Sequence, residues 1–343
     1  MQTTMRKCTQ IDKARSTTKN YSQIDKPLVS ILLAVYKPNQ NWLIEQLVSL
    51  NNQSYDKLEL LIYDDGPEFP VDEDLFKKHI TNFSYTLIRG KKNQGSNKAF
   101  EELTKLGNGE FFAYCDQDDI WEENKISLMV KKLLDKEVTL VCSDLSIIDE
   151  NDKKIANSLT DIRKRIIYKS GYNLAKDLLM VNFVTGCAMM AKKDIAKKAI
   201  PFETTLIHDQ WIAIIAAING KIECINKPLV RYRQHSFNQT GILTGVYDKQ
   251  TYYKMRIDAF LKRYKSLQKR LAYRDELLEY ISDCLKWIES RKRYSTKPSL
   301  EELNIMIKYR KFHKISILVE TFLPFIPNNI FKYIIKMTKK GLL

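Results

Sequence analysis

Hydrophobic and polar positions follow two alternating patterns in the middle of the chain. Short apolar runs, which are typical of buried strands, occur at 28–35, 58–63, 85–89, 110–115 and 138–143. Between the runs, apolar residues recur every three or four positions and predict helices around 43–50, 99–106 and 126–133. This order predicts an α/β fold with a mostly parallel, Rossmann-like central sheet that is flanked by helices.

Carboxylates stand at the points where the predicted strands end. They are Asp64 and Asp65 after the second run, Asp116, Asp118 and Asp119 after the fourth, and Asp209 just before a helix predicted at 212–218. Ligands of open α/β sheets bind beyond the carboxyl ends of the strands. The sequence therefore predicts a polar ligand site at this edge of the sheet.

Three carboxylates within the four positions 116–119 repel one another, and a divalent cation would relieve that repulsion. The alternative is a turn in which Asp119 caps a helix that begins near Trp121. The aspartates at 64–65 are equally typical of an ordinary turn, and Asp209 of a helix cap. No single one of these motifs decides between a site and a turn.

Basic residues alternate with other residues in a strand predicted at 228–234. Arg231, Arg233 and His235 would lie on one face of that strand, because successive side chains point to opposite faces. They would then face either the ligand site or solvent, at a solvated edge strand. Both interpretations stay open at this point.

The positive charge of the chain belongs to its ends. The 343 residues include 56 Lys and Arg against 41 Asp and Glu, a net charge of +15. The C-terminal region 241–343 has 22 basic and 10 acidic residues, and the segment 1–26 has six and two. We therefore predict a flexible basic tail at 1–26, a near-neutral catalytic domain at 27–240 and a basic helical region at 241–343.

Several classes of protein are disfavoured by the composition. Hydrophobic residues make up 44% of the chain and charged residues 28%, which favours a folded core over disorder. The apolar stretch 315–335 is interrupted by charged residues and prolines, so we expect no transmembrane helix. The N-terminus lacks the apolar run of a secretory signal, and six scattered cysteines are typical of buried thiols. We expect a cytoplasmic protein.

The basic C-terminal region has an amphipathic, helical pattern. Its last segment combines apolar residues at Phe322, Phe325 and Ile330 with lysines at Lys332 and Lys336. Such a segment favours attachment to an anionic membrane surface over binding of nucleic acid. The alternative is a helical lid that packs on the catalytic domain and turns its basic face to solvent.

Five motifs, taken in order, resemble the family 2 glycosyltransferases of the GT-A fold. The resemblance spans 27–240 and rests on VSILLAVY at 29–36, DDG at 64–66, NQGSN at 93–97, DQDDIW at 116–121 and HDQW at 208–211. The wording of the last two motifs, followed by RYRQH at 231–235, is most similar to the bacterial rhamnosyltransferase branch. That branch uses dTDP-L-rhamnose as its donor.

The resemblance implies a role for individual residues. Ala34 and Tyr36 would line the nucleoside pocket, Asp65 would face the pyrimidine, and Asp116 would lie near the ribose. Asp118, with His235, would bind Mg²⁺ or Mn²⁺, and Asp209 would be the catalytic base. The resemblance also places two further residues in the substrate-binding site, Asn97 and Trp211.

The implied reaction moves a sugar from a dTDP- or UDP-linked donor to a saccharide or lipid-linked saccharide acceptor, with inversion, in cell-surface polysaccharide assembly. A general base is needed because a neutral alcohol is a weak nucleophile. Two rivals stay open: a nucleotidyltransferase, and a basic membrane or nucleic-acid adaptor without activity. The first would need a glycine-rich phosphate loop near the first strand, and residues 34–38 do not form one.

Overall fold

The computed structural model describes residues 26–235, 245–310, 312 and 314–339, with the side chains of 314–316 left aside. The predicted tail at 1–26, except for Lys26, lies outside the described residues. Within them, nine strands form one sheet. They are Val29–Val35 (β1), Leu58–Asp64 (β2), Ser84–Arg89 (β3), Phe111–Cys115 (β4), Ile120–Trp121 (β5), Val138–Ile148 (β6), Lys154–Ala156 (β7), Met189–Lys192 (β8) and Lys221–Arg233 (β9).

Helices connect the strands and continue beyond the sheet. Eight lie within the first 220 residues: Gln40–Asn51 (α1), Glu73–His79 (α2), Ser96–Leu106 (α3), Lys125–Leu133 (α4), Leu159–Ile162 (α5), Ala175–Met180 (α6), Lys193–Lys198 (α7) and His208–Asn219 (α8). The C-terminal region adds Lys249–Tyr253 (α9), Ala259–Arg270 (α10), Asp275–Thr296 (α11), Leu300–Lys308 (α12), Lys314–Phe322 (α13) and Asn328–Lys339 (α14).

The strand order is β3-β2-β1-β4-β8-β6-β9-β5, and β7 pairs with β6. The strands β3, β2, β1 and β4 are mutually parallel, as predicted. The second half is mixed, because β8 runs antiparallel between β4 and β6 while β6 and β9 are parallel. The chain reverses its direction of strand addition at β1 and β4, whose carboxyl ends thus form the crevice where such sheets bind ligands.

Both faces of the sheet are covered over its central strands, which is why β1, β2, β4 and β6 are buried along almost their whole length. One face packs against α1, α2 and α4 through residues such as Leu47, Phe76 and Met129. The other packs against α3, α6 and α8, with Phe100 and Ile212 in its core. The helices predicted from three- and four-residue spacing are therefore confirmed, and each buries its predicted face except at Leu106, which is 48% exposed at the end of α3.

The strand β9 is not a solvated edge strand, so that alternative is wrong. Its neighbours are β6 and β5. Arg233, at its end, is fully buried and pairs with Glu45 at 2.6 Å and with Asp152 at 2.5 Å. Arg231 is half exposed and pairs with Glu122. The strand is also longer than predicted, because its start at Lys221 carries mixed polar residues that hide the pattern.

The C-terminal helices α10 and α11 pack on the sheet domain. Tyr264, Leu267 and Ile288 belong to the same buried cluster as α3 and α8. The helical-lid arrangement is thus present for these two helices. In the described part of the chain, no helix is long and apolar enough to cross a membrane. Of the described cysteines, all are free thiols, and Cys224 alone is partly exposed.

Candidate active site

The acidic turn after β4 lies at the carboxyl edge of the sheet. Asp118 Oδ2 is 2.8 Å from His235 Nε2, and both side chains are largely buried. Asp119 is fully buried and accepts a hydrogen bond from the Arg233 backbone N–H at 3.0 Å. Arg233 also donates from Nε to the Asp118 carbonyl at 2.9 Å. The end of β9 therefore holds the acidic turn in place through Arg233 and brings His235 next to the Asp118 carboxylate.

The alternative role of Asp119 as a helix cap is wrong. Residues Ile120–Trp121 form β5 and not the start of a helix, because they pair with β9. The following helix begins at Lys125. The carboxylate of Asp119 points to the backbone of β9 instead.

Burial and mutual repulsion act on the carboxyls of this turn. Burial, followed by the charges of Asp119 and Asp118, raises the pKa of Asp116 well above its usual range. Burial and then the charge of Asp118 raise the pKa of Asp119 to about 7. Crowded carboxyls of this kind are stabilised as anions by a bound cation. Several carboxylates with one imidazole form a donor set that fits a hard or intermediate divalent cation.

A second group of donors lies deeper, where Asp116, Asp119 and Cys187 come within 4.8 Å of one another. Burial and the nearby aspartates raise the pKa of the Cys187 thiol well above its usual range. A thiol ligates metals as the thiolate, so this group is a poorer fit for a cation than the carboxyls of the turn. We therefore regard Cys187 as part of the packing beneath the site.

Lys125 places a buried amine below the acidic turn, and the sequence pattern did not reveal it. Its Nζ donates to the Cys187 carbonyl at 2.5 Å and lies 3.0 Å from the centre of the Trp121 ring. Burial lowers the pKa of Lys125 to about 7, although the charges of Asp119 and Asp116 oppose this effect. The only sequence signal was a lysine at the first position of an otherwise apolar helical face.

Asp209 lies in the first turn of α8 and accepts three hydrogen bonds. They come from the Asn182 side chain at 2.9 Å, the Gly186 backbone N–H at 3.0 Å and the Gln210 backbone N–H at 2.5 Å. Burial nevertheless raises the pKa of Asp209 to about 7, against the effect of these donors. The charge of Asp209 also raises the pKa of Asp116, so the two carboxyls share one environment.

The neighbours of Asp209 serve the packing of α8. His208 stacks on Phe100 with ring centres 4.0 Å apart, and burial lowers the pKa of His208 to about 3, so it is neutral. A side chain at Gly186 would put its Cβ 2.7 Å from His208 Nε2, so only glycine fits there. Trp211 is 2% exposed and its indole N–H donates to the Ala199 carbonyl. This placement in the core does not support the predicted contact of Trp211 with substrate.

The two aspartates after β2 have separate partners. Asp64 accepts hydrogen bonds from the backbone of Gly66 and Val71 and pairs with Arg89 at 3.0 Å. Asp65 accepts hydrogen bonds from the backbone N–H groups of Gln94 and Gly95, the latter at 2.8 Å. The motif is therefore more than a turn, because Asp65 positions the loop that precedes α3.

The end of β1 is joined to the acidic turn by Gln117. The Tyr36 backbone N–H donates to Gln117 Oε1 at 2.8 Å, and Gln117 Nε2 donates back to the Tyr36 carbonyl at 3.1 Å. Ala34 is partly buried in β1, and the ring of Tyr36 is 43% exposed. These contacts put the predicted nucleoside-pocket residues beside the predicted cation ligands.

A cleft of about 470 Å³ lies between the loop that Asp65 holds and the helix that carries Asp209. Its walls come from 94–97, from 204–207, from Gln210 and from Arg263 of α10. Asn97 narrows the cleft, since its Nδ2 donates to the Leu206 carbonyl at 2.5 Å. Arg263 donates from Nε to the Thr205 carbonyl. The C-terminal region thus contributes a cation to this cleft.

The structure brings most of the predicted residues to one edge of the sheet. Asp116, Asp118 and His235 form the acidic turn and its partner, and Asp209 lies within its electrostatic reach. Sequence reasoning missed Asn182 and Gly186, which orient Asp209, Gln117, which holds the turn, and Lys125, which lies beneath it. It placed Arg233 on the right strand but did not predict its contact with the turn. For the surroundings of Asp209, the available sequence signal was a glycine inside the apolar stretch 183–191.

Solved structures show what class of protein this fold defines. The chain resembles a crystal structure of S. aureus TarS in complex with UDP-GlcNAc, with a TM-score of 0.54 and 15% sequence identity. The match covers 83% of this chain and 81% of that one. The fold is therefore the GT-A fold, with a C-terminal helical region.

Sequence comparison then shows which enzymes the chain is similar to. Residues 30–198 match the family described as Glycosyl transferase family 2. An uncharacterized glycosyltransferase of Methanocaldococcus jannaschii is 26% identical over 62% of this chain and 72% of its own length. The Escherichia coli UDP-Glc:alpha-D-GlcNAc-diphosphoundecaprenol beta-1,3-glucosyltransferase WfgD is 29% identical over 37% of this chain and 49% of its own length. The chain is a glycosyltransferase, and its residues 30–198 are similar to the family 2 catalytic domain.

Proposed function

We propose that this glycosyltransferase transfers one sugar with inversion from a nucleotide donor to the hydroxyl of a saccharide acceptor, and that a divalent cation assists. The observation that carries the proposal is Asp209. Its carboxyl is buried, burial raises its pKa to about 7, and it shares its surroundings with the acidic turn. A general base works best when its pKa is close to the working pH.

The donor pocket lies at the ends of β1, β2 and β4. Tyr36 and Ala34 offer an apolar wall for the nucleoside, and the Asp65-held loop closes the pocket beside them. In this proposal the main role of Asp65 is to fix the backbone amides of Gln94 and Gly95. A contact of Asp65 with the pyrimidine would be its second role. Asp116 lies deeper and is suited to the ribose side of the nucleotide.

Asp118 and His235 would hold the cation, with Asp116 near them. Mg²⁺ or Mn²⁺ bound there would neutralise the charge that develops on the departing nucleoside diphosphate. The chain itself prepares this position, because Arg233 and Gln117 fix the turn through its backbone and side-chain contacts. This cation site is supported by the group of carboxylate and imidazole ligands and by the crowding of the carboxylate charges.

The acceptor would enter next to Asp209. When the acceptor oxygen bonds to the anomeric carbon, the bond from that carbon to the phosphate oxygen breaks, and the acceptor proton passes to an Asp209 oxygen. Asn182 and Gly186 orient the carboxylate for this transfer. Because the chain needs no nucleophile of its own, attack from the opposite side inverts the anomeric carbon.

The cleft lined by Asn97 and Arg263 is the proposed acceptor subsite. It is the described cavity that lies between the donor loop and the helix of the base. Its polar walls suit a saccharide, and the guanidinium of Arg263 suits an acceptor that carries phosphate, as lipid-linked saccharides do. Such an acceptor would place the enzyme at the inner face of the cell membrane, in polysaccharide assembly.

For the donor sugar, the DQDDIW and HDQW motifs favour a deoxyhexose, with dTDP-L-rhamnose as the first candidate. UDP-linked hexoses are the second, since the E. coli relative is named for UDP-Glc. The family match disfavours nucleotidyl transfer, the rival reaction. We propose a single transfer per encounter.

The test is a panel of nucleotide sugars without an acceptor. The purified chain is incubated with dTDP-L-rhamnose, UDP-Glc, UDP-GlcNAc or GDP-mannose, with Mn²⁺, Mg²⁺ or EDTA, and released nucleoside diphosphate is measured. We expect slow hydrolysis of one donor that requires the cation. Asp209→Asn serves as the matched variant and should suppress the release. Failure of every donor, or equal rates in EDTA, would contradict the proposal.

A further inference from the structure

The end of the chain carries an exposed apolar surface. Its members are Leu318 and Phe322 of α13, Phe325 of the following turn, and Ile330 and Tyr333 of α14, which we call the C-terminal apolar surface. Each of these side chains is more than half exposed. An open groove of about 470 Å³ between α12 and α13 continues it, since Leu318 and Phe322 also line that groove. Several large apolar side chains exposed within one short segment are typical of an interaction site.

The C-terminal apolar surface is not an unpacked part of the hydrophobic core. The inward face of α14 already packs, with Phe331 and Ile335 against Val246 and Tyr252. The helix α13 is held through Glu320, which pairs with Arg291 at 2.5 Å and accepts the Tyr252 hydroxyl at 2.8 Å. Both helices are therefore fixed from the inside while their outward side chains stay exposed.

A stripe of lysines runs beside the apolar surface on α14. Residues three and four apart share a face of a helix, so Lys332, Lys336 and Lys339 form one exposed stripe. Ile330, Tyr333 and Met337 form the neighbouring stripe by the same rule, and Phe331 and Ile335 the buried one. An apolar face bordered by lysines is typical of helices that lie in a lipid interface.

Negative charge is absent from this part of the sequence. No Asp or Glu occurs between 321 and 343, while the same segment has four lysines. The nearest acidic residue in the sequence, Glu320, is buried and paired, while Asp248 at the start of α9 lies within electrostatic reach of Lys332. The partner that complements this surface therefore has anionic groups above an apolar layer.

We propose that the C-terminal apolar surface and its lysine stripe dock on the anionic headgroup layer of a lipid bilayer. A second copy of the chain fits less well, because a two-fold interface would press the lysine stripe against itself. Nucleic acid would use the lysines and leave the phenylalanines in water. On a bilayer, the apolar side chains enter the acyl boundary and the lysines meet lipid phosphates.

The proposal does not depend on the donor site, so the two can fail separately. The experiment is flotation of the full chain with vesicles of phosphatidylcholine and phosphatidylglycerol in a two-to-one ratio, at low and high salt. Vesicles of phosphatidylcholine alone are the lipid control. We expect the wild type to float with the anionic vesicles, and salt to reduce its bound fraction.

Two variants separate the apolar and the charged contributions. Phe322→Ser with Phe325→Ser should lower the vesicle partition coefficient at least about tenfold, because each side chain loses an apolar contact with lipid. The triple variant Lys332→Gln, Lys336→Gln and Lys339→Gln should also lower the vesicle partition coefficient about tenfold or more. It should remove the salt dependence of binding as well. Donor hydrolysis should be unchanged in both, since neither touches the proposed active site.

Matched controls make the same chemical changes elsewhere. Ile167→Ser changes another exposed apolar residue, and Lys131→Gln with Lys136→Gln and Lys153→Gln removes three other exposed lysines. Both controls should float like the wild type. Three results would overturn the proposal: a wild type that does not float, equal losses in the controls, or a lipid-free dimer that only the phenylalanine variant dissociates.

Discussion

His235 Nε2 and Asp118 Oδ2 lie 2.8 Å apart although 117 positions separate the two residues in the chain. The contact joins the acidic turn after β4 to the end of β9. The contact places the His235 imidazole at the coordination sphere of any cation that the turn binds. A partner in contact with a metal ligand typically changes metal affinity ten- to a hundredfold.

We therefore expect His235→Ala to weaken cation-dependent donor binding by at least about tenfold. Asp118→Ala should abolish the cation response. The measurement is thermal stabilisation by UDP or dTDP with and without Mn²⁺. His79→Ala, which changes a histidine of α2 away from the site, is the control. An undiminished Mn²⁺ response in Asp118→Ala would take this residue out of the site.

Asp209→Asn should lower kcat by at least about a hundredfold, which is the scale of a lost general base. The nucleotide should still bind, because Asp209 contacts Asn182, Gly186 and Gln210 and not the donor pocket. The measurements are donor hydrolysis and nucleotide affinity on the same preparation. Unchanged turnover would mean that another group accepts the proton.

The pH dependence of the rate should follow Asp209. A base acts in its ionised form, and burial raises the pKa of Asp209 to about 7. The hydrolysis rate should therefore rise from pH 5, reach half of its plateau near pH 7 and level off above about pH 8. A bound cation nearby would shift this limb to lower pH but would not reverse its direction. A rate that falls over this range would contradict the assignment.

The stability of wild type and Asp209→Asn should also diverge with pH. The pKa of Asp209 is higher in the folded chain than its ordinary value, so ionisation disfavours the folded state. The cost is absent well below pH 4, grows as pH rises and is complete above about pH 7. The melting temperature of the variant minus that of the wild type should therefore increase from pH 5 to pH 8. A constant difference would argue against a buried carboxyl.

The buried ion pair of Arg291 and Glu320 should stabilise the packing of the C-terminal helices. Within the described part of the chain, Arg291→Met leaves the buried Glu320 carboxylate with only the Tyr252 hydroxyl as a partner. Breaking such a pair from one side costs about 3–5 kcal/mol of unfolding free energy. Arg293→Met is the control, because its pair with Glu302 is half exposed and contributes about 1 kcal/mol or less. The measurement is the free energy of unfolding of both variants in denaturant. Equal losses of unfolding free energy in the two variants would contradict the prediction.

Sequence reasoning identified the first half of the sheet well and the second half poorly. The runs that became β1, β2 and β4 are short and mostly apolar, since both of their faces are covered. The strand β3 lies at the end of the strand order and leaves several of its side chains exposed. The strands β7 and β8 are three and four residues long and carry no period of their own. Their position depends on the strands beside them, which the local pattern does not contain.

What the sequence by itself determined is the order of the elements, the apolar faces of the helices and the positions of the carboxylates along the chain. These follow from local periodicity and from residue type, which act over a few neighbours. The tertiary structure alone decided which groups meet: Arg233 buried behind the acidic turn, Asn182 and Gly186 on Asp209, and Trp211 in the core. Such pairings join distant positions, and their energy comes from burial and hydrogen bonds that exist only once the chain has folded.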